Sequence, residues 1–176
     1  MRSNDKPTSA DTMHPELLAA QKYAYEPSGL TLTNLLQAAE SQEYGACDFE
    51  MNNKRIKFRA AKITPTKIGQ FVTVWKRIGD GPIMPYDAAD PVDLFVVSVR
   101  CAHHFGQFVF PKAVLAQKGF VSTDGKGGKR AMRVYPPWDI TSSQQARATQ
   151  AWQLDYFFEI AEQKGVDIAR IQRLFG

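Results

Sequence analysis

The sequence predicts a mixed α+β domain in which one mixed β-sheet of about six strands is flanked by helices. Three observations lead there. Apolar residues recur at helical spacing towards both ends of the chain, at Leu17, Leu18 and Tyr25 and again at Ala148, Trp152 and Phe157. Between them the period shortens to two, as Ile56, Phe58 and Ala60 alternate with Arg55, Lys57 and Arg59. Residues 93–99, DLFVVSV, then form a near-continuous apolar run of strand length, as expected of a central strand covered on both faces. With 176 residues, 44% of them hydrophobic and 23% charged, the chain has the size and composition of one soluble domain with one core.

The elements follow in order. Residues 1–12 are polar and expected to be disordered, leaving 13–176 as a single domain. A short helix starts at Pro15 and is closed by Pro27-Ser28-Gly29. Thr31 or Thr33 can cap a second helix carrying Leu32, Leu35, Leu36 and Ala39, which runs out at 42–45. Strands are expected over 46–51 and 54–63 about an Asn52-Asn53 turn, with Lys62 on the face of Phe58 and Ala60. After a turn at 64–68, a third strand covers 69–77, and Gly and Pro make 79–91 a loop. The central strand at 93–99 is followed by a strand over 105–110 and a short helix from Pro111 to Gln117. Residues 124–130, DGKGGKR, read as a flexible basic loop and lack the GxxxxGK[ST] form of a phosphate cradle. A short strand at 132–135 leads to the rigid corner Pro136-Pro137-Trp138-Asp139, whose Trp covers the core. A long helix capped at Thr141, Ser142 or Ser143 reaches Lys164, and a terminal helix covers 166–174.

Charge carries the functional signal. Lys54, Arg55, Lys57, Arg59, Lys62, Lys67, Lys76 and Arg77 crowd residues 54–77 without one acidic residue, although the whole chain is only +4. That clustering suggests an anionic partner, phosphate first, with Trp75, Tyr86 or Trp138 available to stack on bases. DNA or RNA, bound through phosphates, is the expected partner; a solvated edge guarded by charge is the plainer alternative. Lys129 and Arg130, with Lys126 and Arg133, extend the same surface if the fold brings them near. Cys47 and Cys101 stand apart without ligand spacing, so two thiols in a reducing compartment are expected and no thiol metal site. With no secretory apolar segment and no run approaching the ~20 residues of a membrane helix, a cytoplasmic protein is expected. His103 and His104 are adjacent, point opposite ways on a strand, and fit a loop role. Asp87, Asp90 and Asp93 fit turn chemistry, with Asp93 starting the central strand.

Several blocks carry a family resemblance: KITPTKIGQFVTVWKR, PYD with DLFVVSVR, FGQFVFPKAVLAQKG and KRAMRVYPPWD. Together they resemble the MepB family of bacterial proteins over about residues 43–152. The arrangement is also similar to the wider PD-(D/E)xK nuclease-like fold, and so implies a restriction-endonuclease-like sheet. That resemblance implies a Mg²⁺-dependent nuclease site in which two carboxylates hold the cation and a lysine positions water. Carried onto this chain, Asp48 is the first carboxylate and metal ligand, Lys62 the lysine, and Glu43 a helper from the preceding helix. The chain departs from the pattern at Ala60, where an acidic residue or Gln belongs. Unless Glu43 or Glu50 fills that gap, cleavage is expected to be weak or absent. Nucleic-acid binding is therefore the leading reading. A working Mg²⁺ nuclease is one alternative, and a protein or small-molecule interaction module linked to drug or stress response is the other.

Overall fold

The structure, a computed structural model, describes residues 13–176. The disorder expected of residues 1–12 lies outside the described residues. Three strands are laid down first: β1 (Thr33–Gln37), β2 (Cys47–Met51) and β3 (Lys54–Ala60). They join β8 (Leu94–Cys101), β9 (His104–Pro111) and β11 (Phe157–Glu159) in a six-stranded sheet of order β1-β2-β3-β8-β9-β11. Every neighbouring pair is antiparallel except β3 and β8, which makes the sheet mixed, as expected. Between β3 and β8 lie β4 (Lys62–Thr64), β5 (Lys67–Thr73), β6 (Trp75–Lys76) and β7 (Met84–Pro85). With β10 (Ala131–Val134), β5 and β4 form a second, three-stranded sheet, and β6 pairs with β7. The helices are α1 (Pro15–Ala20), α2 (Lys112–Gln117), α3 (Gln144–Leu154) and α4 (Ile168–Phe175).

Strict alternation along β8 explains why both faces of the large sheet are covered. Leu94 and Val96 join Ile56, Phe58 and Phe49 in a core closed by Leu17, Tyr25, Ile171 and Phe175. Phe95, Val97 and Val99 face the other way, against Val72, Met132 and Val134 of the small sheet, Val74 just beyond it and Leu115 of α2. One face is thus covered by helices, and the other by the small sheet with α2. Inside the first core, Tyr25 Oη donates to Gln107 Oε1 (2.6 Å) and Gln107 Nε2 donates to Ser98 Oγ (2.7 Å). That chain satisfies polar groups that would be costly to bury unpaired.

Three elements differ from the sequence expectation. Residues 31–42 hold an edge strand and a loop, not a helix: Asn34 takes φ +54° and the β1–β2 register shifts between Thr33 and Leu36. Leu32 and Leu35 still pack on the core, so the apolar spacing was real but served an irregular strand. The strand expected over 54–63 ends at Ala60; Ala61 N–H donates to Ser98 O (2.9 Å), and the chain then leaves for the small sheet. The long helix expected to reach Lys164 stops at Leu154. Adjacent Phe157 and Phe158 enter opposite cores, which only an extended backbone permits, and β11 results.

Candidate nucleic-acid interface

Strand β3 places Arg55, Lys57 and Arg59 on the face opposite Phe58, and the hairpin register sets Asp48 against Lys57 and Glu50 against Arg55. Arg55, Lys57, Lys76 and Arg77, half of the cations crowded into residues 54–77, find carboxylate partners in space. Asp48 Oδ2 accepts from Lys57 Nζ at 2.5 Å, Asp90 Oδ1 from Lys76 Nζ at 2.5 Å, and Glu40 Oε1 from Arg77 Nε at 2.8 Å. Asp93 accepts from the Arg55 backbone N–H (2.8 Å) and, more loosely, from its guanidinium (3.5 Å), so its carboxyl sits below the ordinary range. Arg59 is the buried cation of the cluster, and it is not among those four. It is 6% exposed, donates to Phe58 O (2.8 Å) and Tyr86 Oη (3.4 Å), and has no carboxylate partner among the described residues. Its Nε is buried without a hydrogen-bond partner. Lys57, Arg59, Trp75, Lys76, Arg77 and Tyr86 line a cavity of about 320 Å³, with Glu40 and Asp90 at its wall.

A second basic hollow opens where β5 and β10 meet the start of α3. Lys67, Lys129, Arg133, Tyr135, Ser143 and Gln145 line a cleft of about 550 Å³, and no carboxylate residue lines it. Arg133 Nη1 is held by Thr64 Oγ1 (3.0 Å) and the carbonyls of Ile68 and Gly69 (3.3 and 3.2 Å). The Lys129 ammonium lies 5.1 Å from the Phe120 ring centroid. Ser143 caps α3 by accepting from Ala146 N (3.0 Å). The fold thus brings Lys67 and Lys129 together, as the charge pattern invited. Arg130 does not line the cleft and instead donates to Ile83 O (3.3 Å). Tyr135 and Gln145 had no signal in sequence beyond their polarity.

The nuclease-type set is not assembled. Ala60 is buried in the helix-covered core, whereas Lys62 begins β4 in the other sheet, exposed, with its ammonium 4.8 Å from the Tyr44 ring centroid. The two do not share a strand face because the chain changes sheets between them. Glu43 lies exposed in the 3₁₀ turn Gln42–Tyr44, which is not the helix expected there. Glu50 accepts from Asn34 Nδ2 (2.8 Å). The residue facing Asp48 is Lys57, and two positions on stands Arg59, so cations hold the places beside the one candidate ligand. Among the described residues no three His, Cys, Asp or Glu side chains gather as a metal site. A hard divalent cation needs several anionic oxygens, and this donor set does not fit Mg²⁺.

The remaining candidates have structural roles. His103 and His104 do not point apart: their rings lie 4.2 Å from each other, and His104 stacks on Trp138 at 5.0 Å and 13°. Trp138 packs on the second core, as expected of the Pro-Pro-Trp-Asp corner. Burial pushes the Cys47 thiol up to about 12, with Asp48 adding to the shift, which leaves it unreactive. No described helix is long and apolar enough to cross a membrane.

The family described as MepB-like matches residues 38–159. A solved structure described as the crystal structure of MepB superposes with a TM-score of 0.72 at 32% identity, covering 84% of this chain and 97% of that one. A bacterial homing endonuclease superposes with a TM-score of 0.45 at 14% identity, covering 84% of this chain and 93% of that one. No curated protein matches.

Proposed function

The chain belongs to the MepB-like family, and we propose that it is a cytoplasmic nucleic-acid-binding protein that grips phosphates and does not cleave them with metal. The observation that carries this reading is the cleft between β5, β10 and α3, where Lys67, Lys129 and Arg133 converge and no carboxylate answers them. Exposed cations without counter-charges attract a polyanion and release its counterions on binding. The sequence carries no major-groove helix motif, so contacts with backbone phosphates and little sequence preference are expected. Cleavage is left out because Asp48 is neutralised by Lys57 and neither Glu43 nor Glu50 stands in for a second ligand.

Fluorescence anisotropy of labelled single- and double-stranded DNA and RNA, at two salt concentrations and with or without Mg²⁺, tests this. Affinity is expected to fall steeply with salt, and no product is expected with Mg²⁺. Lys67→Ala and Lys129→Ala are each expected to lower the slope of log affinity against log salt by roughly 0.7–0.9. Product formation in Mg²⁺ would reinstate a nuclease. Absence of binding at both salt concentrations would redirect the search to protein or small-molecule partners.

A further inference from the structure

We infer that the cavity around Arg59 is a second, separate site, built to take a phosphate monoester: the phosphorylated end of a strand or a free mononucleotide. The cavity shares no lining residue with the basic cleft, so the two sites stand or fall independently.

Charge is the first argument. Of the four cations that line the cavity, Lys57, Lys76 and Arg77 each hold a carboxylate, and Arg59 holds none among the described residues. A guanidinium that is 6% exposed and unpaired is costly to keep in place, and chains rarely bury one without a counter-charge. A bound anion supplies that counter-charge.

Donor supply is the second. Arg59 uses one N–H on Phe58 O and one on Tyr86 Oη, out of the five that a guanidinium carries. Lys57 and Lys76 each spend one donor on a carboxylate and keep others. Their carboxylate partners fix these side chains, so little ordering remains to be done when an anion arrives. A phosphate monoester carries close to two charges and three terminal acceptor oxygens, which suits convergent donors better than one carboxylate does.

Shape is the third. At about 320 Å³ the cavity lies at the small end of ligand sites. Trp75 and Tyr86 form aromatic walls beside the cations. One face of Trp75 already carries the Arg77 guanidinium, 5.6 Å from the ring centroid, and Lys57 lies 5.7 Å from the Tyr86 centroid. A flat base beside a phosphate matches a wall of this composition. A duplex is too wide for the cavity, which admits one nucleotide or a strand end.

The test uses the full chain. Isothermal titration is run with inorganic phosphate, deoxyadenosine monophosphate and deoxyadenosine. A competition assay compares 5′-phosphorylated with 5′-hydroxyl oligonucleotides of one sequence. The monophosphate or the phosphorylated end is expected to bind at least ~10-fold more tightly than its phosphate-free counterpart, the phosphate being worth one or more charge-assisted contacts. Preference for the monophosphate alone identifies a mononucleotide pocket. Preference for the phosphorylated oligonucleotide alone identifies an end-binding pocket. Equal binding with and without phosphate in both comparisons overturns the inference. Arg59→Met keeps the packing and removes the charge. It is expected to abolish the phosphate preference; any fall in melting temperature reflects the lost bonds to Phe58 O and Tyr86 Oη, since no ion pair is removed. A lower melting temperature with the preference intact would mean that Arg59 is a structural residue only. Trp75→Ala, at a half-buried position, is expected to weaken the monophosphate more than inorganic phosphate; equal weakening of both overturns the stacking part.

Discussion

Asp87 shows how much one half-buried carboxylate can hold. It accepts from Ser122 Oγ (2.6 Å), Ala89 N (3.0 Å) and Gly125 N (3.0 Å), tying the 79–91 loop to the basic loop. The Ser122 bond first, then the two backbone bonds, pull its carboxyl from 3.8 down to about 2. A depressed carboxyl stabilises the fold above its unfolded value, and that contribution is lost as pH falls from about 4 towards about 2. Asp87→Asn is therefore expected to shrink the loss of stability across that window, measured by urea melts at stepped pH, and to speed amide exchange at Gly125. An unchanged acid limb would rule out Asp87 as its source. His14 points the same way at higher pH. Its Nδ1 accepts from Glu16 N (3.1 Å) to cap α1, and burial lowers its pKa below 6.5 despite the neighbouring Glu16. Stability from this cap is present above pH 6.5 and declines as the pH falls through the folded value. The residue scale also shows what sequence could and could not tell. That Lys57 and Arg59 share a face followed from their spacing. That Lys57, Lys76 and Arg77 would be neutralised did not, because their partners stand 9, 14 and 37 residues away. That Arg59 is the cavity's one cation without a carboxylate partner among the described residues emerged only once those pairings were in place.

At the scale of elements, the joint between β9 and β11 leaves no room for a side chain at Gly106. A Cβ on Gly106 would lie 2.3 Å from Phe157 Cζ and 2.6 Å from Phe158 O. Gly106→Ala is expected to cost about 1–3 kcal/mol or more, since part of the obstacle is backbone. A urea midpoint unchanged from wild type would show that β11 can move aside. Arg170 fastens α4 to the same strand, donating to Phe157 O (2.5 Å), Leu154 O (2.9 Å) and Asp155 O (3.3 Å). Arg170→Ala is expected to lower stability by roughly 1.5–3 kcal/mol, the range for hydrogen bonds from a charged donor. The same denaturation curves check it. Elements with strong patterns were legible: β8 from its apolar run, β2 and β3 from their period and Asn-Asn turn, α2 from Pro111, α4 from its spacing. Those misread were decided by neighbours. Residues 33–37 are extended because the edge of β2 was available to pair with them, and 157–159 because two sheet faces each needed a phenylalanine.

For the whole molecule, the lesson of Lys62 is topological. A strand that runs straight keeps Ala60 and Lys62 on one face, and the nuclease-like reading rested on that. Here the chain serves the large sheet up to Ala60 and the small one from Lys62, a change that no local spacing announces. The same change of sheets lays β5 and β10 over the second core and opens the cleft beside α3. Timing follows from the same topology. The β8–β9 hairpin links neighbours in sequence and can form early, whereas the parallel β3–β8 pairing must close a long intervening segment. The walls of the Arg59 cavity come from 38–41, 57–59, 75–77 and 86–92, on both sides of that closure. They are expected to meet late in folding, with contacts made there absent from the transition state. Saturating phosphate monoester is then expected to slow unfolding in stopped-flow denaturant jumps and leave the refolding rate unchanged. An anion in that cavity acts as a latch on the finished chain, and the lifetime of the native state, rather than the speed of reaching it, becomes the quantity that a cell's phosphate compounds can set.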